Sequence, residues 1–126
     1  MPIGAELTSA LRSFASVESD IIAFGRGADA SKALEFVQKR KQMIGEFAAL
    51  RDALENDPYL VANPVLKTDV MRLFSAFRAQ NAINQADWPA IRVRDNLPQF
   101  RIAAQSVGPP SRAFWQWIDR ELGFKP

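Results

Sequence analysis

Apolar side chains recur at every third or fourth position through each long segment of this sequence, and this spacing constrains the fold more than any other feature. It is the period of an α-helix that buries one face. Sustained alternation of apolar and polar residues, which would indicate a half-buried strand, is not found in the sequence. The pattern therefore predicts an all-α protein, a single-domain antiparallel bundle of four to five helices.

The first two predicted helices run from about Glu6 to Phe24 and from Asp29, as the N-cap, to about Asn56. Solvated faces are expected for Glu18 on the first helix and for the run Lys39-Arg40-Lys41 on the second. The apolar stripe of the second helix is predicted to contain Leu34, Val37, Ile44, Phe47, Leu50 and Leu54. Gly25 and Gly27 are predicted to end the first helix, in a C-cap followed by a turn. Asp57-Pro58 is predicted to end the second, because a residue before proline is disfavoured in a helix, and the segment to residue 62 is predicted as a connection.

The third helix is predicted to start at Asn63-Pro64, a capping side chain followed by proline. At Pro89 two interpretations stay open. Either Asp87 caps a new helix, or the third helix continues through a kink, which unbroken apolar spacing from Phe74 to Ile91 favours. The chain is predicted to be helical on both sides of Pro98.

The division of the chain is predicted at Gly108-Pro109-Pro110, which we interpret as a helix stop and linker. Residues 1–107 then form the bundle, and residues 108–126 form the linker and a short amphipathic helix. Ser111 is predicted to cap that helix, which ends at Leu122 and is closed by Gly123.

The composition excludes most side-chain catalysis, because the chain contains no cysteine and no histidine. It therefore lacks thiolate nucleophiles, imidazole triads and the commonest transition-metal ligands. We expect a non-enzymatic protein without a cofactor or a metal. The first eleven residues do not have the pattern of a signal peptide, and the apolar runs are too short to span a bilayer, so we expect a cytoplasmic protein with no membrane partner.

Positive charge is concentrated in the second half of the chain. Residues 1–63 contain 7 basic and 9 acidic side chains, and residues 64–126 contain 9 and 5. Arg92, Arg94, Arg101 and Arg112 are interleaved with aromatic residues, a combination that can bind phosphates and stack on bases. This suggests two less favoured alternatives, a nucleic-acid-binding accessory protein and an arginine-lined small-molecule enzyme.

Two features suggest contact with another protein. Asn81 and Asn84 continue the line of core positions towards Trp88, so they either face water or mark a polar notch in a partner seam. The final helix is the second feature, and it either closes the bundle as a lid, which is favoured, or detaches to dock in a partner's groove. Its apolar face carries Phe114, Trp115, Ile118 and Leu122, with Trp117 at the rim.

The sequence is best interpreted as a helical protein-interaction module, either an adaptor, an accessory subunit or a chaperone-like binder. The predicted partner-binding residues are Asn81, Asn84, Trp88, Phe114, Trp115, Trp117 and Ile118. The partner is expected to be a helical surface of another protein, and a second copy of this chain is one candidate. In architecture alone, two long antiparallel helices and a third one are similar to small bacterial export chaperones of the flagellar type.

Overall fold

The structure, a computed structural model, describes residues 2–27 and 32–126, and within these ranges every regular element is helical. The all-α prediction is confirmed. The helices are α1 (Ala5–Gly27), α2 (Ala33–Asn56), α3 (Pro58–Val61), α4 (Pro64–Asp87), α5 (Ala90–Asp95), α6 (Leu97–Ala104) and α7 (Gly108–Trp117). A 3₁₀ turn (Gln105–Val107) precedes α7, and one π-helical turn (Ile118–Leu122) follows it.

Helices α1 and α2 form an antiparallel hairpin. The rings of Phe14 and Phe47 lie 4.7 Å apart near the middle of the two helices. Towards the other end of the pair, Lys39 forms a 3.1 Å ion pair with Asp20. The two helices therefore run in opposite directions, which is the arrangement predicted from the sequence.

Helices α4 and α7 complete the bundle around an aromatic core. Phe77 lies 5.1 Å from Phe47 on α2 and 6.0 Å from Phe114 on α7, measured between ring centroids. These rings meet mainly edge to face, the arrangement that aromatic quadrupoles favour. A second, smaller apolar cluster lies beside this core, where α5 and α6 cross the end of α2, and it contains Phe36, Trp88, Val93 and Phe100.

Asp57 organises the turn after α2. It is buried, and its carboxylate accepts hydrogen bonds from the Gly4 N–H at 2.8 Å and the Leu60 N–H at 3.2 Å. The second of these is an N-cap, so the segment predicted as a plain connection contains the one-turn helix α3. The predicted start of the next helix at Pro64 is confirmed, although the Asn63 side chain donates to the Tyr59 carbonyl at 2.7 Å and does not cap.

The prediction of a kinked helix through Pro89 is wrong. Helix α4 ends at Asp87, Trp88 has non-helical torsion angles, and Pro89 is extended. The physical reason is that proline disfavours the helical conformation at the residue before it. Asp87 does not cap α5 either, because Pro89 occupies the N-cap position. The chain is helical on both sides of Pro98, as predicted, with the break at Asn96.

The predicted Gly-Pro-Pro linker is also wrong, because these three residues form the first turn of α7. Proline is tolerated there, since the first turn of a helix needs no donated backbone hydrogen bond. Ser111 lies inside α7 and does not cap it. At the other end the prediction is confirmed, because Gly123 adopts a left-handed φ of 70° and closes the helix.

Two further predictions concern the connection between the first two helices. Helix α1 continues to Gly27, so the predicted break after Phe24 is wrong, and Gly25 lies inside the helix. The proposed N-cap Asp29 lies outside the described residues. Helix α2 ends at Asn56, as predicted.

Candidate ligand-binding cleft

A cleft of about 510 Å³ opens between α1, α2, α4 and the segment from α6 to α7. This volume is within the range of small-ligand sites, and it can also accept a few side chains of a docked protein. The cleft has apolar walls, which include Ile21, Phe36, Met43, Phe77 and Phe100. Its polar lining residues are Glu18, Arg40, Asn81, Asn84, Gln85, Arg101, Gln105, Ser111 and Arg112.

Arg40 is the buried charge of this cleft. Only 9% of its surface is exposed, and its guanidinium carbon lies 4.6 Å from the ring centroid of Phe36 and 5.4 Å from that of Phe100. The Nη1 atom donates a hydrogen bond to the Trp88 carbonyl oxygen. The Nη2 atom is buried and has no hydrogen-bond acceptor in the described part of the chain. Burial lowers the pKa of Arg40 to about 10, so the side chain remains a cation at neutral pH.

Sequence reasoning missed Arg40 because it assigned the wrong face of α2 to the core over the first half of the helix. Leu34 and Ile44, which were expected in the apolar stripe, are 71% and 54% exposed. The buried face instead carries Phe36, Arg40, Met43, Phe47 and Leu50. Arg40 therefore occupies a core position, and it does not share the solvated face expected for the run Lys39-Arg40-Lys41. The signal was the three-to-four-residue spacing from Phe36 to Leu50.

The two asparagines singled out by the sequence both line the cleft. Asn84 is buried and Asn81 is half-buried, so they form part of one wall. Trp88, which continues their line in the sequence, lies after the end of α4 and packs in the smaller cluster, 5.7 Å from Phe100. It is therefore a support of the cleft and does not present a free surface.

The terminal helix packs as a lid. Phe114, Trp117 and Ile118 are buried in the main core, so they offer no surface to a partner in this structure. The expectation that Trp117 lies at the rim is wrong, because α7 packs between α1 and α4 and its buried arc includes that flank. Trp115 is the half-buried member of this group.

Glu18 holds the lid to α1. One carboxylate oxygen accepts from the Trp115 indole N–H at 2.8 Å, and the other accepts from the Ser111 hydroxyl at 2.7 Å. The sequence suggested a solvated face for Glu18, and that interpretation is wrong. Among the described residues that line the cleft, Glu18 is the only carboxylate, and both of its oxygens are already hydrogen-bonded.

The four arginines of the second half do not form one surface. Arg92 stacks on Trp88 at 4.0 Å and donates to the Asp87 carbonyl, while Arg94 forms a 3.0 Å ion pair with its neighbour Asp95. Arg101 and Arg112 line the cleft instead. The four arginines considered for nucleic-acid binding therefore lie in two separate places, and only two of them line the cleft.

Comparison with protein-family models, with curated proteins and with solved structures finds no match to this chain. In residues 2–27 and 32–126, none of the helices has both the length and the apolar character needed to cross a membrane. The function is therefore argued from the cleft itself.

Proposed function

We propose that this protein is a non-enzymatic protein-interaction module, of the adaptor, accessory-subunit or chaperone-like kind, and that a segment of its partner docks in the cleft. The observation that carries the proposal is the buried cation Arg40 on the lining of a cleft with apolar walls. A buried charge without a counter-charge is costly unless a ligand compensates for it.

The chemistry of the lining supports recognition more than catalysis. Amide and guanidinium groups donate hydrogen bonds without changing their protonation near neutral pH, so they are poor proton-transfer groups. The Glu18 carboxylate already accepts two hydrogen bonds from the lid. Asn81 and Asn84 then supply further hydrogen-bonding groups to an occupant.

The expected partner is another protein. The lining is drawn from α1, α2, α4, α6 and α7, and the 49% exposed side chain of Ile22 extends its apolar surface outwards. An elongated segment with apolar side chains suits such a site. By analogy with the antiparallel helices of small bacterial export chaperones, we propose that the protein acts in the bacterial cytoplasm.

The proposal is tested by filling the cleft. Ala104, on its lining, is replaced by Trp, and as a matched control Ala48, on the exposed face of α2, receives the same substitution. Both variants are compared with the wild-type protein by affinity capture from the native host and by thermal unfolding.

We expect Ala104→Trp to lose the captured protein and Ala48→Trp to retain it. Equal recovery with both variants would contradict docking in the cleft. If the wild-type protein has the mass of a dimer in solution, and if Ala104→Trp but not Ala48→Trp abolishes this dimer, the partner is a second copy of the chain.

A further inference from the structure

The guanidinium group of Arg40 has no counter-charge among the residues that the structure describes. Buried arginines in proteins are nearly always paired with an anion. Within residues 2–27 and 32–126, the ion pairs of the chain involve other residues, and none of them includes Arg40. Its Nη1 atom bonds a neutral carbonyl, and its Nη2 atom is unsatisfied. Among the described residues, the guanidinium therefore lacks a counter-charge, and its Nη2 atom lacks an acceptor.

The cleft offers no internal anion that could supply this acceptor. The carboxylate of Glu18 is occupied by Ser111 and Trp115. Arg101 and Arg112 add two further positive charges to the lining, and Arg112 forms no ion pair with any residue that the structure describes. Within residues 2–27 and 32–126 no anion neutralises Arg40, and the open cleft gives an anion of another molecule access to it.

The walls indicate which anion fits. The rings of Phe36 and Phe100 lie beside the guanidinium, and Ile21, Met43 and Phe77 are further apolar residues of the lining. A monoanion neutralises Arg40, the buried cation of the lining, and the apolar walls accept an apolar body attached to that anion. A planar carboxylate also matches the paired N–H groups of a guanidinium.

We propose that the cleft recognises a carboxylate attached to an apolar body, with Arg40 as its ion partner, and that the carboxylate belongs to the docked segment of the partner protein. This inference rests on the proposed function, because it names the chemistry of the docked segment. Asn81 and Asn84 supply further hydrogen-bonding groups on the same lining, and Phe77 and Met43 contact the apolar body.

Two small probes test whether the cleft recognises the negative charge of a carboxylate. Phenylbutyrate carries the carboxylate, and phenylbutanamide has the same body without the charge. Each is titrated into the full chain, and binding is followed by calorimetry and by NMR shifts of the Asn81 and Asn84 side-chain amides. We expect the acid to bind about tenfold or more tightly than the amide, since hydrogen bonds to charged groups are stronger.

Substitution of Arg40 isolates its contribution. Arg40→Met should remove the preference for the acid, whereas Arg72→Met, at an exposed position of α4 outside the cleft, should preserve it.

Asn81→Asp is a second variant for the case in which Arg40→Met does not fold. It adds a negative charge to the lining at nearly constant size, and it should weaken the acid without weakening the amide. Equal binding of both probes by the wild-type protein, or a preference that survives in Arg40→Met or in Asn81→Asp, would overturn the proposal. Tighter binding of phenyl phosphate than of phenylbutyrate would also overturn it.

The source of the carboxylate is tested on the captured partner. Excess phenylbutyrate should release that protein from the immobilised chain, and phenylbutanamide should not. If capture depends on the cleft but both probes release the partner equally, docking stands and the carboxylate inference fails. If the acid binds but Ala104→Trp still captures the partner, the proposed function fails, and the partner is excluded as the source of the carboxylate.

Discussion

Arg40 donates a hydrogen bond to the carbonyl oxygen of Trp88, which lies 48 residues further along the chain. In a continuous helix that carbonyl would accept the N–H of Arg92. Because Pro89 ends α4, the carbonyl is free to accept from Arg40 instead. This hydrogen bond connects α2 to the junction of α4 and α5, and it holds the buried cation at one wall of the cleft.

Replacing Arg40 should cost little stability, because its charge is buried without a counter-charge. A pKa lowered to about 10 corresponds to a penalty of roughly 3 kcal/mol on the charged form. Arg40→Met removes that penalty, but it leaves the Trp88 carbonyl without its donor, which costs about 1–3 kcal/mol. The free energy of unfolding in urea should therefore stay the same or rise by up to about 2 kcal/mol. A loss of about 3 kcal/mol or more would show that Arg40 is a structural residue.

The lowered pKa of Arg40 predicts that the free energy of unfolding depends on pH. The pKa of Arg40 is lower in the folded chain than in the unfolded chain, so above pH about 10 the unfolded chain binds more protons. The contribution of Arg40 to the free energy of unfolding therefore rises with pH, by about 1.4 kcal/mol from about pH 9 to about pH 11. The difference between wild-type protein and Arg40→Met in urea unfolding measures this rise, because the other titrating groups are common to both. A difference that stays flat or falls over this interval is the contrary result.

The lid should depend on Glu18. Glu18→Ala leaves the Trp115 indole and the Ser111 hydroxyl without their acceptor, and we expect the free energy of unfolding to fall by about 2 kcal/mol. Glu18→Gln retains one acceptor oxygen and should lose about half as much. Glu46→Ala is the control for loss of a carboxylate, since it removes an exposed bond to Ser13. If all three variants are equally stable, the two bonds of Glu18 do not hold the lid.

The two asparagines of the cleft wall should affect binding more than folding. In the double variant with leucine at positions 81 and 84, the new side chains stay on the lining of the cleft. The free energy of unfolding should change by less than about 1 kcal/mol, because the leucine at position 81 adds partly exposed apolar surface while the leucine at the buried position 84 gains apolar contact. Capture of the partner should decrease, because hydrogen-bonding groups are lost. A marked rise in melting temperature with unchanged solubility and capture would place both asparagines in an internal seam.

The helical class and some helix ends could be predicted from the sequence, because they depend on local spacing and local stop signals. The end of α2 at Asn56 and the left-handed Gly123 are examples. Proline was harder to interpret, because the same residue breaks a helix or begins one. Pro89 separates two helices, whereas Pro109 lies in the first turn of α7, and only the packing around each distinguishes them.

The cleft could be predicted only in part. Asn81 and Asn84 were found, because amides at core spacing are conspicuous in one helix. Arg40 was missed, because its burial depends on which face of α2 meets α1, α4 and the Pro89 junction. Glu18 was missed for a similar reason, since Ser111 and Trp115 reach it from the opposite end of the chain. Contacts of this range are set by tertiary packing and not by local periodicity.

The most direct test of docking in the cleft is site-specific photo-crosslinking in the native host. A photoreactive phenylalanine derivative replaces Asn81, on the lining of the cleft, or Ala48, on the exposed face of α2. If a partner segment occupies the cleft, the residue at position 81 should crosslink one defined protein, and the residue at position 48 should not. Crosslinking of the same protein from position 48 alone, or equally from both positions, would contradict the account.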